Sequence, residues 1–238
     1  MFTGPLFKCF GSKWSAARRY PAPNRNRVVE MFGGSAGYSL RWAHTVNEVV
    51  ICEQGHLWEL WGWLLQANEA DIREIPLNTP EGTDIRSMGL SRGQALLLKN
   101  WQRTNNVGDC WTISAWGHKP GQWTASTRSR VAEEVELLHN WRLTKAPHRE
   151  SGVHFIDPLY EYNFKYRLPT PDYSALGRLV RKVNERNPVI VCEAACPKTG
   201  AHPTWLPFEP HHDQVTSRRK SAKSRELAFI RMQPSKEV

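Results

Sequence analysis

Asp157, Pro158, Leu159 and Tyr160 stand together directly after the apolar pair Phe155-Ile156. Such a group suits chemistry on the amino group of a nucleobase. The carboxylate and the proline carbonyl can each accept one N–H bond from the amino nitrogen, and the aromatic ring can stack on the base. A second group lies far upstream, where the apolar residues Val28-Val29-Glu30-Met31-Phe32 run into Gly33-Gly34-Ser35-Ala36-Gly37 and then Tyr38-Ser39-Leu40-Arg41-Trp42. The order reads as strand, glycine turn, helix. Glycines in such a turn permit positive φ and close approach of a ligand, and the helix start is expected to offer free N–H groups to polar ligand atoms. Glu53 closes the next apolar run, Val49-Val50-Ile51-Cys52, about twenty residues after Glu30. In dinucleotide-type α/β folds an acid at that place holds ribose hydroxyls.

These groups need a sheet to position them, and the rest of the chain supplies one. Alternating strand and helix patterns predict an α/β fold, and 238 residues suffice for a sizeable core. Leu57 to Leu65, with Trp58, Trp61 and Trp63, is too short to cross a bilayer and reads as a buried helix after the second strand. From Gln66 to Ala146 prolines and glycines punctuate short periodic pieces, which predicts an inserted region. Within it Val131, Val135 and Leu138 recur at helical spacing between Arg128 and Trp141, with Glu133, Glu134 and Glu136 assigned to other faces. Trp101, Trp111, Trp116 and Trp123 in this region are expected to pack in the core more than to stack on bases. Later, Pro171-Asp172-Tyr173-Ser174 begins a helix, Val189 to Cys192 forms a strand, and two closing strands are expected in Trp205–Phe208 and Leu227–Ile230. The division expected is 1–65 and 147–238 for the two parts of one catalytic domain, with 66–146 between them.

Net charge is +9, and the basic residues gather at Arg18/Arg19, Arg25/Arg27, Arg128/Arg130 and Arg218 to Arg225. Such clusters favour a polyanionic partner. The five cysteines, Cys9, Cys52, Cys110, Cys192 and Cys196, are odd in number and scattered, which suits a reducing compartment. Cys192, Cys196 and His202 lack paired CxxC spacing, so no metal site is expected. The N-terminus has no charged-then-apolar signal pattern, and a cytoplasmic protein without a membrane span is the expectation.

Taken in order, these motifs resemble the Dam-like class of DNA adenine methyltransferases, particularly the compact phage and prophage forms. Phe10-Gly11-Ser12-Lys13 fills the place of the family's N-terminal glycine-lysine motif. Glu30, Phe32, Gly33 and Gly34 match its cofactor turn, Glu53 its ribose-binding acid, and Asp157 to Tyr160 its Asp-Pro-Pro-Tyr motif. His139-Asn140-Trp141-Arg142, Val189 to Glu193 and Thr204 to Phe208 also resemble the phage subgroup. The resemblance implies a Rossmann-like methyltransferase with a seven-stranded mixed sheet, helices on both faces and a target-recognition insertion at 66–146. It further implies S-adenosylmethionine as cofactor, held by Phe10, Gly11, Lys13, Glu30, Phe32, Gly33, Gly34, Glu53 and Asp157. Double-stranded DNA would be the partner, with the enzyme a monomer or weak dimer, and Asp157, Pro158 and Tyr160 would be catalytic.

Leu159 departs from the family pattern, which has a second proline there. The substitution frees the ψ angle of Pro158 and adds an N–H, so it predicts a loosened or reshaped site more than a dead one. Three other readings stay open: a DNA-binding relative without chemistry, a transferase acting on RNA, or one placing a larger group on a base. An oxidoreductase using a nicotinamide cofactor ranks below them, because the glycine spacing is not GxGxxG.

Overall fold

The computed structural model describes residues 1–9, 11–102, 110–159, 171–194, 205, 212–216 and 225–232. Its centre is a mixed seven-stranded sheet with the order β3-β2-β1-β4-β5-β7-β6. The strands are β1 (Arg27–Met31), β2 (Glu48–Cys52), β3 (Trp141–Leu143), β4 (Val153–Ile156), β5 (Val189–Ala194), β6 (His212–Thr216) and β7 (Arg225–Arg231). The first five are mutually parallel, and β7 lies antiparallel between β5 and β6. Their sequences are nearly continuous apolar runs, as parallel strands buried on both faces require.

Alternate residues of each strand feed two apolar layers. Val28, Val49, Ile51, Val153, Phe155, Ile190 and Cys192 join the larger one, which also takes in helices α2 (Gly55–Leu64), α4 (Arg92–Trp101) and α5 (Ala125–Val135). Val29, Met31, Val50, Ile156 and Val191 face the other way, onto Leu176 and Val180 of α6 (Tyr173–Asn184) and onto Trp205. The chain runs outward from β1 through β2 to β3, then returns to pair β4 against the other side of β1. That reversal makes the β1/β4 junction the topological switch point, beside which open α/β sheets bind ligands at the carboxyl ends of their strands.

Residues 66–146 do not stand apart from this core. They contribute β3 to the sheet, α3 (Glu69–Arg73), and the buried residues Leu96, Leu97, Leu98, Trp101, Trp111, Trp123 and Val131. The helix expected to reach Trp141 ends at Val135, followed by a single 3-10 turn, and Trp141 opens β3 instead. Of the two closing strands expected, Leu227–Ile230 lies within β7, whereas in Trp205–Phe208 only Trp205 is described, as a buried turn residue, and residues 206–208 lie outside the described residues. Among the described residues, no helix is long and apolar enough to cross a membrane.

Glu134 corrects the helical-face assignment most directly. It is 5% exposed, and Oε1 accepts from both the N–H and the hydroxyl of Thr3 at 2.6 Å, while Arg130 pairs with Oε2 at 2.6 Å. Arg130 also donates to the Pro5 carbonyl at 2.8 Å. One buried carboxylate thus fastens the N-terminal segment to α5. Glu134→Ala strands the guanidinium and the Thr3 donors, and is expected to cost about 3 kcal/mol in urea unfolding; a change near zero would mean that solvent replaces these bonds freely.

Candidate active site

β1, β2 and β4 end level with one another, since Met31 pairs with Cys52 on one side and Ile156 on the other. The glycine turn, Glu53 and Asp157 therefore leave the sheet at the same edge, beside the switch point. The Asp157 N–H continues the pairing weakly, with its nitrogen 3.4 Å from the Met31 carbonyl oxygen.

The turn is held more tightly than its glycines alone require. Phe32 and Ala36 both adopt left-handed φ, 57° and 49°, as does Gly34 at 51°. A non-glycine residue in that region stores conformational energy and persists only where surrounding contacts fix it. Here the Gly33 N–H bonds to the Cys52 carbonyl at 3.0 Å, and the Ala36 N–H to the Gly33 carbonyl at 2.6 Å. Glu53 Oε2 accepts from the Gly34 N–H at 2.5 Å, and the Trp61 indole N–H caps the Gly34 carbonyl at 2.9 Å. The short helix α1 (Gly37–Trp42) follows, with the buried Glu30 carboxyl accepting the Ser39 N–H at 2.8 Å. The expectation that this helix start offers free N–H groups to a ligand is thus corrected at Ser39, whose donor is used by an acid from the preceding strand.

Lys13 comes from outside the sheet. A Cβ added to Gly37 would lie 2.3 Å from the Trp14 nitrogen, so the segment carrying Lys13 rests directly on the first residue of α1, and only glycine admits it. The Lys13 side chain is 5% exposed and reaches Asp157 Oδ2 at 2.7 Å and the Gly11 carbonyl at 3.0 Å. Ser12 and Ser35 join their hydroxyls at 2.8 Å across the same seam. Residues 13, 30 to 34, 53 and 157, remote in sequence, are brought together at this edge. Gly11 flanks them in left-handed conformation at φ 79°. Pro158 is buried, whereas Phe10 and Tyr160 lie outside the described residues.

Acids dominate the electrostatics. Burial pushes the Glu30 carboxyl up to about 8, with the bonds from Ser39 opposing and the Asp157 charge adding to the rise. Glu53 is raised as well, by burial, against the Gly34 and Gln54 N–H groups that it accepts. The Cys9 thiol, packed beside Gly34, is pushed up to about 12 by burial and by the nearby Glu53 and Asp157 charges. It is a packing group there and not a thiolate nucleophile. Cys9 and Trp61 were not among the expected site residues; nothing in their local sequence marks them, since a lone cysteine and a tryptophan on an apolar helix read as core.

The basic clusters divide by role. Arg27 forms ion pairs with Glu48 and Glu150, and Arg128 donates to the carbonyls of Arg73 and Ile75. Arg18, Arg19 and Arg25 are exposed. The cluster from Arg218 to Arg225 lies in the 217–224 stretch outside the described residues except for Arg225, which opens β7. No group of three or more metal-ligating side chains occurs among the described residues.

No protein-family model and no curated protein matches the chain. Among solved structures it is similar to a conserved hypothetical protein of Streptococcus pyogenes, with 11% identity, 92% of this chain and 94% of the other covered, and a TM-score of 0.40. It is also similar to an Escherichia coli chain described as "Putative methyltransferase yhhF", with 8% identity, 87% of this chain and 76% of the other covered, and a TM-score of 0.35. Both scores are low, and the functional reading rests on the chain's own residues.

The Glu30 carboxyl makes stability depend on pH in a definite direction. Its folded value, about 8, lies above the ordinary 4.5, so the folded protein keeps a proton that the unfolded chain releases. The contribution is fully present below about 4.5, falls as pH rises, and is lost above about 8. Glu30→Gln keeps an acceptor for the Ser39 N–H and removes the titration. In denaturant titrations the variant should therefore gain on the wild type steadily across that window; parallel curves would show that Glu30 does not carry the buried proton.

Proposed function

We propose that the chain is an S-adenosylmethionine-dependent DNA adenine methyltransferase of the Dam-like class. One observation carries the reading: Lys13, the Phe32–Gly34 turn, Glu53 and Asp157 converge at the carboxyl edge of the parallel strands, beside the switch point. Those are the residues on which the sequence resemblance falls.

The residue set fits the cofactor. Glu53 and Asp157 place two acids at this edge, Asp157 paired with the buried Lys13 ammonium and Glu53 bound to the glycine turn, and acids so placed favour a ligand with cationic centres. Each Glu53 oxygen accepts one backbone N–H, from Gly34 or Gln54, and has a further lone pair for a ribose hydroxyl. When bound, S-adenosylmethionine supplies an electrophilic methyl group on a sulfonium centre.

The chain's own residues would then handle the base. An adenine inside duplex DNA must be flipped to reach the site, at a cost of a few kcal/mol. Its amino nitrogen is a poor nucleophile because the lone pair is delocalised into the ring. Asp157 and the Pro158 carbonyl would each accept one of its N–H bonds, which favours the geometry that frees the lone pair. Lys13 pairs with Asp157 through Oδ2 and so fixes the carboxylate at the end of β4. Tyr160 would stack on the base. Alignment of the reactants and stabilisation of the developing positive charge by the carboxylates would supply the acceleration, with no metal or strong base.

Residues 66–146 would read the DNA. In that region Trp116 is 39% exposed, with the Lys119 ammonium 4.2 Å from its ring centroid, a pairing of cation and aromatic face suited to nucleic acid. Leu159 would tune the rate without abolishing it.

The test is transfer of a radiolabelled methyl group to unmodified DNA, with cofactor binding followed by calorimetry. Asp157→Asn, which preserves shape beside Lys13, should abolish transfer and leave the affinity for S-adenosylmethionine within a few-fold, whereas Asp157→Ala removes the partner of the buried Lys13 ammonium and should weaken both. Equal loss of binding and transfer in Asp157→Asn would make Asp157 structural. A wild-type protein that binds the cofactor but methylates no DNA would instead be a relative without this chemistry.

A further inference from the structure

Among the described residues the pairing of β4 with β1 ends with the Asp157 N–H, and the loop goes on to Leu159 without the second proline that would stiffen it. Proline after Pro158 would confine the Pro158 ψ angle to extended values, and leucine does not. The structure places a different restraint there. The Tyr173 hydroxyl donates to the Leu159 carbonyl at 2.5 Å, across a gap of 14 residues in sequence.

Tyr173 is well placed to act as a fixed point. It is the first residue of α6, and Asp172 caps that helix by accepting the Ala175 N–H at 3.0 Å. The Tyr173 ring packs against the Trp205 ring with centroids 5.7 Å apart. Trp205 is itself buried, and its indole N–H donates to the buried Glu193 carboxylate at 3.2 Å. Its carbonyl oxygen lies 2.6 Å from where a Cβ on Gly177 would sit, so α6 and Trp205 touch backbone to backbone. Leu159 is thereby connected through Tyr173 and Trp205 to Glu193 at the end of β5, the strand next to β4.

We infer that Tyr173 is a positioning residue: its hydrogen bond to the Leu159 carbonyl holds Asp157 and the Pro158 carbonyl in the geometry that receives the amino group. The inference rests on the methyltransferase reading for its functional consequence, and on the hydrogen bond alone for its structural one. A tertiary bond here does the work that a second proline would do through the backbone. Two consequences follow from that equivalence. Removing the hydroxyl should loosen the loop while the ring still packs on Trp205. Restoring the proline should make the hydroxyl dispensable, because proline keeps the carbonyl and supplies the stiffness.

Tyr173→Phe separates these effects, since it deletes only the hydroxyl. Hydrogen exchange at the Asp157 and Leu159 amides should quicken by up to about tenfold, with the thermal midpoint nearly unchanged. The kcat for DNA methylation should fall by a similar factor, while KM for S-adenosylmethionine stays constant. Leu159→Pro in the Tyr173→Phe background should bring kcat back. Trp205→Phe, which keeps an aromatic ring but loses the bond to Glu193, should give a smaller effect of the same kind. Unchanged exchange in Tyr173→Phe would overturn the clamp. Faster exchange with an unchanged kcat, or a kcat that proline does not restore, would overturn its positioning role. If the wild type transfers no methyl group, the functional reading fails by itself, and the exchange measurement still decides the clamp.

Discussion

The ion pair between Lys13 and Asp157 is the constraint on which the site depends. A nearly buried ammonium is costly unless it is paired and hydrogen-bonded, and Lys13 satisfies both conditions with Asp157 and the Gly11 carbonyl. The pair can form only if the N-terminal segment crosses the sheet edge at one height. Leu6 and Phe7 are fully buried, and the Trp101 indole N–H holds the Leu6 carbonyl at 2.9 Å. Phe7 meets Trp61 edge-on at 5.3 Å, and Trp61 in turn holds the Gly34 carbonyl. Contacts made by α4, α5 and α2 thus converge on the position of one ammonium group.

That dependence also gives residues 66–146 a structural role at the site. Glu134 and Trp101 both belong to this stretch, and both fasten the segment that delivers Lys13. A displacement of α4 or α5 would be felt at Asp157 through packed side chains and buried hydrogen bonds. Energy stored in the left-handed Phe32 and Ala36 works in the same sense, because the turn keeps its shape only while Glu53, Trp61 and Cys52 hold it.

Much of this was legible in the sequence where local chemistry and periodicity agree. The apolar runs at Val28, Val49 and Val189 become parallel strands, and the Asp172 cap opens α6 as its side chain requires. Glu53 and Asp157 stand at strand ends because the apolar runs stop there. What could not be read depends on contacts between distant residues. Glu134 reads as a solvent-facing acid until Thr3 and Arg130 arrive to satisfy it, and Trp141 continues a helical pattern until pairing with Val49 makes it a strand. Glu30 looks like a cofactor ligand by position, while its described bond serves the Ser39 N–H of α1.

Leu159 shows how a departure from a motif should be weighed. Read alone, the leucine removes a backbone restraint and suggests a site losing its order. A restraint on a loop is a reduction in its accessible conformations, however, and the chain can obtain that from a side chain as well as from a ring in the backbone. Tyr173 supplies such a bond to the very carbonyl that follows the missing restraint, and it does so from a capped helix packed on a buried tryptophan. The difference lies in when the restraint acts. Proline narrows the loop in the unfolded chain and the folded one alike, whereas the hydroxyl holds it only once α6 has docked. Loop order is then tied to the packing of α6 and Trp205 against the sheet, so a leucine in the motif moves the control of the site from local sequence to tertiary structure.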